Sequence, residues 1–163
     1  MRDVLISINK PHTDNIFSGE KGVEWRKRPL PEGLYYVYET KNKGGCGMVI
    51  GEMRITGSRA VDTSGPLEVC LVNAGRVHPV TLKKYANNGT VYANFIKDAK
   101  RYDTPKPLSA FRVLCKEYQK DNPQCGNCDY YHTMGEYPAE CACEGAKSLR
   151  RPPQSWFYVR EVT

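Results

Sequence analysis

Two groups of residues in this chain have the types and spacing to do chemistry. The first is the charged segment GEKGVEWRKR, which carries Lys21, Glu24, Trp25, Arg26 and Arg28 within eight positions. A carboxylate flanked by cations suits proton transfer or the capture of a polar ligand edge, with Glu24 as base and Lys21 or Arg26 as electrostatic stabiliser. The same cations beside an indole equally suit phosphate and base recognition. In an extended strand, Glu24, Arg26 and Arg28 share one face and Lys21, Val23, Trp25 and Lys27 the other. A buried strand does not hold that many unpaired ions, because each is costly to desolvate. Either Glu24 pairs with Arg26 across a wet cleft, or the strand faces a ligand, or it is an edge strand defended by Lys and Arg against aggregation.

The second group is cysteine. Of seven, Cys46 and Cys70 stand alone in apolar, strand-like surroundings, where a reduced thiol acts as a small hydrophobe. Cys115, Cys125, Cys128, Cys141 and Cys143 crowd into the last third, a clustering that reads as metal binding in a reducing compartment. CxxC followed by CxC gives Cys125, Cys128, Cys141 and Cys143 as first choice for a structural, four-coordinate zinc. His132 is the replacement for either of the last two, and Cys115 is a further donor. A disulfide or free loop thiols are the bland alternatives. A polar stretch this long needs a staple to stay ordered, which favours zinc.

These groups need elements to position them. DVLISI reads as a first strand, HTDNIFSG as a short helix closed by Gly19, and the charged segment as a strand. After the RPLPEG turn, LYYVYET is a strand with Leu34, Tyr36 and Tyr38 on one face and Tyr35 and Val37 on the other. MVIGEMRIT is a strand in which Gly51 marks a bulge or a close backbone approach. A loop of Asp62 to Pro66 follows, then EVCLVN as a strand. HPVTLKKYANNG reads as a short helix capped by Thr81 and ended by Asn88 and Gly89, and VYANF as a strand. IKDAKRYDTPKPLSAF, with Pro105 and Pro107, reads as a surface connection. FRVLC rejoins the sheet, and RPPQSWFYVREV supplies the last strand. Many short strands with two short helices predict a small, closed β-barrel with helical plugs.

Length and composition set the frame. One domain with a proper core is expected over 1–163, carrying a Cys-rich insertion at about 115–150. A formal net charge of +6 makes polyanions plausible partners. No apolar run has the length of a membrane span, and the N-terminus lacks a signal peptide's apolar core, so a cytoplasmic protein with no membrane partner is expected. His12 and His78 have no Ser or Asp partner pattern that marks a catalytic base. No phosphate-cradling glycine loop, zincin helix or GxSxG elbow is present.

ISINKPHTDNIFSGEKGVEWRKR, followed by VYET, MVIGEMRI, VYANFI, YDTPKPLSAF and RPPQSWFYV, resembles the ASCH domain of the PUA-like superfamily. The likeness is greatest to bacterial and phage versions and covers nearly all of the chain outside the Cys module, which looks like an insertion before the last strand. It implies an α+β, mainly β barrel with a cleft beside the first helix and the charged strand, suited to RNA or a nucleotide. One branch of the family hydrolyses the acyl group of acetylated cytidine with a Lys, a Thr three positions later and a distant Glu. Lys21 matches the Lys, whereas Glu24 stands at the Thr position and Ala86, Asn87 and Asn88 occupy the region of the Glu.

The expectation is therefore an RNA- or modified-nucleotide-binding protein, with an amidohydrolase for acylated or modified pyrimidine nucleosides as the alternative. Ligand contacts are expected from Lys21, Glu24, Trp25, Arg26, Arg28, Ser155 and Trp156, and Gln154 lies beside them; Lys21 and Glu24 are the pair that would act in an enzyme. Either tryptophan taken singly is better explained as core.

Overall fold

A computed structural model describes residues 3–113 and 147–161. The strands are β1 (Asp3–Ile8), β2 (Val23–Arg26), β3 (Gly33–Glu39), β4 (Val49–Asp62), β5 (Thr90–Lys106), β6 (Phe111–Val113), β7 (Lys147–Ser148) and β8 (Trp156–Glu161). The helices are α1 (Lys10–Phe17), α2 (Val69–Gly75) and α3 (Pro79–Ala86). One sheet runs in the order β2-β5-β4-β3-β1-β8-β6-β7, antiparallel except for the parallel β1/β3 pair.

The hydrogen-bonded ladder does not close into a full barrel, contrary to the closed form expected: among the described residues β2 and β7 are free edges. A side chain nevertheless bridges one edge of the sheet to its interior. Arg26 on β2 reaches the carbonyl of Ser7 on β1, four places away in strand order, at 2.9 Å. Such a contact demands a sheet that is rolled, and the long strands supply the bend. Between β4 and β5 the register shifts at three places, and each bulge adds local twist.

β4 and β5 also run past all three apolar clusters. Val49 and Tyr102 belong to one, Met53, Ile55 and Ile96 to a second, and Val61, Val91 and Ala93 to the third. The Tyr-rich strand alternates as its sequence predicts, with Tyr35 and Val37 packing into one cluster and Leu34, Tyr36 and Tyr38 into another. Gly51 sits at a shifted register, where a Cβ would lie 2.6 Å from the Phe17 ring and against the Lys100 carbonyl. Only glycine lets α1 and β5 approach β4 this closely.

Several elements differ from the sequence reading. Pro11 lies in the first turn of α1, where its missing N–H costs nothing, rather than ahead of the helix. EVCLVN is α2 and not a strand: Leu71 and Gly75, four apart, turn inward while Val69 and Cys70 are exposed. β-branched residues mislead here because helical spacing decides which side is buried. α3 is capped by the His78 side chain, which accepts from the Val80 N–H at 3.3 Å, and not by Thr81; it ends at Asn87 in a left-handed conformation. The stretch expected as a surface connection is the second half of β5, since Pro105 falls near that strand's end, where a ladder donor is dispensable. Cys46 and Cys70 are exposed and lie outside strands, so neither fills an apolar gap. The zinc candidates Cys125, Cys128, Cys141 and Cys143, together with Cys115 and His132, lie outside the described residues. No group of three or more potential ligands for a metal occurs among the described ones. Among the same residues no helix is long and apolar enough to cross a membrane.

Candidate functional site

α1, the segment leading into β2, the β3–β4 connection, the α2–α3 pair and residues 150–154 enclose a cleft of about 1110 Å³. Its chemistry begins in the Lys21–Arg26 segment. Gly22 donates its N–H to the Ala74 carbonyl at 2.9 Å, which docks this segment on the end of α2 before β2 begins at Val23. Lys21 is therefore outside the regular strand, and the face assigned to it by alternation is wrong. Its ammonium turns back to Glu24 at 3.4 Å and donates to the Gly75 carbonyl at 2.6 Å.

Lys21 is 2% exposed and Glu24 7%, so the pair is a buried one. Burial pulls the Lys21 ammonium below its ordinary value, and the Glu24 carboxylate opposes that fall. The other side of Glu24 receives Arg26, with Nε at 3.1 Å and Nη2 at 2.9 Å. Arg26 then extends to the Ser7 carbonyl and, through Nη1, to Ser155 Oγ at 3.3 Å. The three side chains form one chain of charge, plus-minus-plus, whose parts hold each other in place. Beneath it Asn94, fully buried, donates to the Glu24 carbonyl at 2.9 Å and accepts from the Leu30 N–H at 2.8 Å and from Ser58 Oγ. Neutral amide bonds of this kind fix β2 against the turn that follows it.

Residues 150–154 are tied to β1. Ser7 Oγ donates to the Pro153 carbonyl at 2.7 Å, and the Ser7 N–H donates to the Ser155 carbonyl at 3.0 Å. On the opposite wall, buried Glu39 holds the β3–β4 connection. Its carboxylate accepts from Thr13 Oγ1 of α1 at 2.7 Å and from the Cys46 N–H at 2.9 Å. Burial pushes the Glu39 carboxyl up, and these hydrogen bonds outweigh it, so the group sits below the usual carboxylate range.

Of the residues singled out in sequence, Lys21, Glu24, Trp25 and Arg26 line the cleft together with Gln154. Trp25 is 7% exposed and packs with Leu71 and Leu82, so its main body is core. Its indole N–H is buried with no partner among the described residues and lies against Gly75, where a Cβ would overlap it. Ser155 touches the site through Arg26 and does not line the cavity. Trp156 is half-buried, stands edge-on to Tyr158 at 5.5 Å and also lies outside the lining, as does exposed Arg28.

Other residues arrive from distant parts of the chain: His12 from α1, Lys41 and Lys43 from the β3–β4 connection, Arg76 and His78 between α2 and α3, Tyr85 on α3, and Arg150. No local motif marks them, because the rolled sheet and helix pair assemble them. Tyr85 is 41% exposed at the rim, with the Lys27 ammonium 5.3 Å from its ring centre.

No protein-family model matches the sequence, and no curated protein matches it either. Solved structures do. A crystal structure of ASCH from Zymomonas mobilis, 18% identical, aligns over 98% of this chain and 88% of its own with a TM-score of 0.59. Two single-substitution variants of that protein, each 17% identical, align over 98% of this chain with TM-scores of 0.60, covering 89% and 91% of their own lengths. The rolled mixed sheet and its short helices thus share the architecture of those ASCH structures. The chain adopts the ASCH fold, as its motifs imply.

Proposed function

We propose that the cleft binds RNA or a nucleotide, making this an ASCH-fold nucleic-acid- or modified-nucleotide-binding protein. Charge carries the reading. Lys21, Arg26, Lys41, Lys43, Arg76 and Arg150 line the cleft, against Glu24 as the only acid among the described lining residues. Lys21 and Arg26 are engaged by Glu24, and Arg76 by Glu20. Lys41, Lys43 and Arg150 have no ion-pair partner among the described residues, which leaves them free for phosphate. Tyr85 adds an aromatic surface on which a base can stack. Glu24, with its oxygens already occupied by two cations, sets the polarity of the floor.

The test is binding of a labelled single-stranded oligoribonucleotide over a salt series. Lys41→Ala with Lys43→Ala should weaken affinity and lower the slope of log K against log salt by about 0.7 for each phosphate that is no longer neutralised. Unchanged affinity and slope exclude the rim as the phosphate site.

The hydrolytic alternative, on acylated or modified pyrimidine nucleosides with Lys21 and Glu24 as the working pair, draws less support. The Lys21 ammonium is engaged by Glu24 and Gly75, and the carboxylate by Lys21 and Arg26. Neither is a free base or nucleophile without rearrangement.

A further inference from the structure

Lys27, Arg28 and Lys84 stand outside the cleft, next to the rim that Tyr85 forms. Lys27 and Arg28 follow β2, and Lys84 precedes Tyr85 on α3; all are exposed and none lines the cavity. None has an ion-pair partner among the described residues. Lys27 reaches from the end of β2 to lie over the Tyr85 ring, 5.3 Å from its centre, so β2 and α3 meet at this rim. No acid offsets the charge in these segments. From Arg76 to Lys97 the sequence has no Asp or Glu, and in residues 21–31 Glu24 alone is acidic, buried and committed to Lys21 and Arg26. Structural duties account for some cations in this region but not for all of them. Lys83 donates to the Gly65 carbonyl at 2.8 Å and fastens α3 to the loop before α2. A cation in the last turn of a helix is favourable in itself, which accounts for Lys84 but not for Lys27 or Arg28. Guarding the free edge of β2 explains cations within that strand, whereas Lys27 and Arg28 lie beyond its last residue, Arg26.

We infer that the ligand is a single strand of RNA and not a lone nucleotide, and that it leaves the cleft over Tyr85, with Lys27 and Lys84 receiving the phosphates that follow. The inference rests on the reading that the cleft takes a phosphate-bearing ligand. An aromatic ring flanked by unpaired cations is what a single strand needs where it runs along a surface: the ring takes a base face and the cations track the backbone on either side of it. Tyr85 is 41% exposed at the rim and belongs both to the cleft and to this outer patch, so a base stacked there has cations beside it in both directions. A lone nucleotide seated in the cleft would leave Lys27 and Lys84 idle. A strand neutralises them, and its affinity carries their share of the counterion release.

The test pairs a labelled single-stranded hexaribonucleotide with two double variants that lose the same charge at exposed positions outside the cleft lining. Lys27→Ala with Lys84→Ala should weaken hexamer binding about fivefold or more and lower the slope of log K against log salt by about 1.4, at about 0.7 for each phosphate released. Lys97→Ala with Lys100→Ala removes the same charge from β5 and should leave hexamer affinity within about twofold. On the wild-type chain a nucleoside 5′-monophosphate, which has no strand to leave the cleft, should compete at least about tenfold less well than unlabelled hexamer. An unchanged affinity and slope in the first variant, an equal loss in both variants, or a monophosphate that competes as well as the hexamer each overturns the strand and leaves the cleft as a nucleotide site. Failure of the wild-type chain to bind either probe overturns the binding reading as well.

Discussion

Lys21 is the residue at which burial, charge and backbone meet. Its ammonium satisfies the Gly75 carbonyl at the end of α2 and one side of Glu24, with 2% of the residue exposed. Lys21→Met keeps much of the volume and removes the charge. Glu24 is then left with Arg26 alone, and the Gly75 carbonyl loses its donor. Breaking one arm of a buried ion pair costs about 3–5 kcal/mol when the remaining charge is uncompensated. Arg26 compensates part of it, so a loss of about 2–3 kcal/mol in urea unfolding is expected. A loss below about 0.5 kcal/mol would mean that the pair contributes as little as an exposed one. The Glu24–Arg26 pair is legible in the sequence, because residues two apart on a strand share a face. The Lys21–Glu24 pair is hidden there, since regular strand alternation starts only at Val23: at Gly22 the N–H is turned to the Ala74 carbonyl and only the carbonyl meets β5, at Ile96. His12, Lys43 and Arg150 are illegible for a different reason: their meeting is a property of the rolled sheet, not of any local spacing.

At the scale of elements, α2 is the support on which the charged floor stands. Its last residue, Gly75, gives its carbonyl to Lys21 and its bare Cα to the edge of the Trp25 indole. A methyl group at Gly75 would overlap the indole nitrogen, and that ring is wedged against Leu71 and Leu82. Gly75→Ala should therefore displace Trp25, lower stability by about 2–3 kcal/mol and shift the intrinsic tryptophan emission. An unchanged emission spectrum with unchanged stability would show that the helix end is free to move away. This helix is not visible in EVCLVN, because Val, Cys, Leu and Val favour a strand locally and only packing on Val23 and Trp25 selects the helix. The second half of β5 is masked by its Lys, Asp and Pro content. Pairing with β4 supplies its backbone hydrogen bonds, and a mostly solvent-facing surface tolerates its charges. The Tyr-rich β3 and the final β8 are readable because burial and propensity agree along them.

For the whole molecule, the described residues on either side of the Cys-rich segment belong to one sheet. Val113 on β6, the last described residue before that segment, and Lys147 on β7, the first after it, are paired in the ladder, as are Arg112 and Ser148. β6 is in turn paired to β8, so both flanks of the segment are tied to the sheet. Zinc on Cys125, Cys128, Cys141 and Cys143 remains a proposal founded on the CxxC and CxC spacing. It carries two consequences that the strand order separates. Native mass spectrometry of reduced protein should give one zinc per chain, lost in Cys125→Ser with Cys128→Ser. Because the cleft is built from α1, β2, the β3–β4 connection, the helix pair and residues 150–154, the same variant should keep its affinity for the single-stranded oligoribonucleotide within about twofold, as sites without shared partners behave independently. Absence of metal, or oxidation of these cysteines to disulfides in the purified protein, would remove the zinc proposal. Loss of ligand affinity together with the metal would instead mean that the segment reaches the cleft through Arg150, whose chain neighbour Leu149 packs in the apolar cluster of β3 and β8.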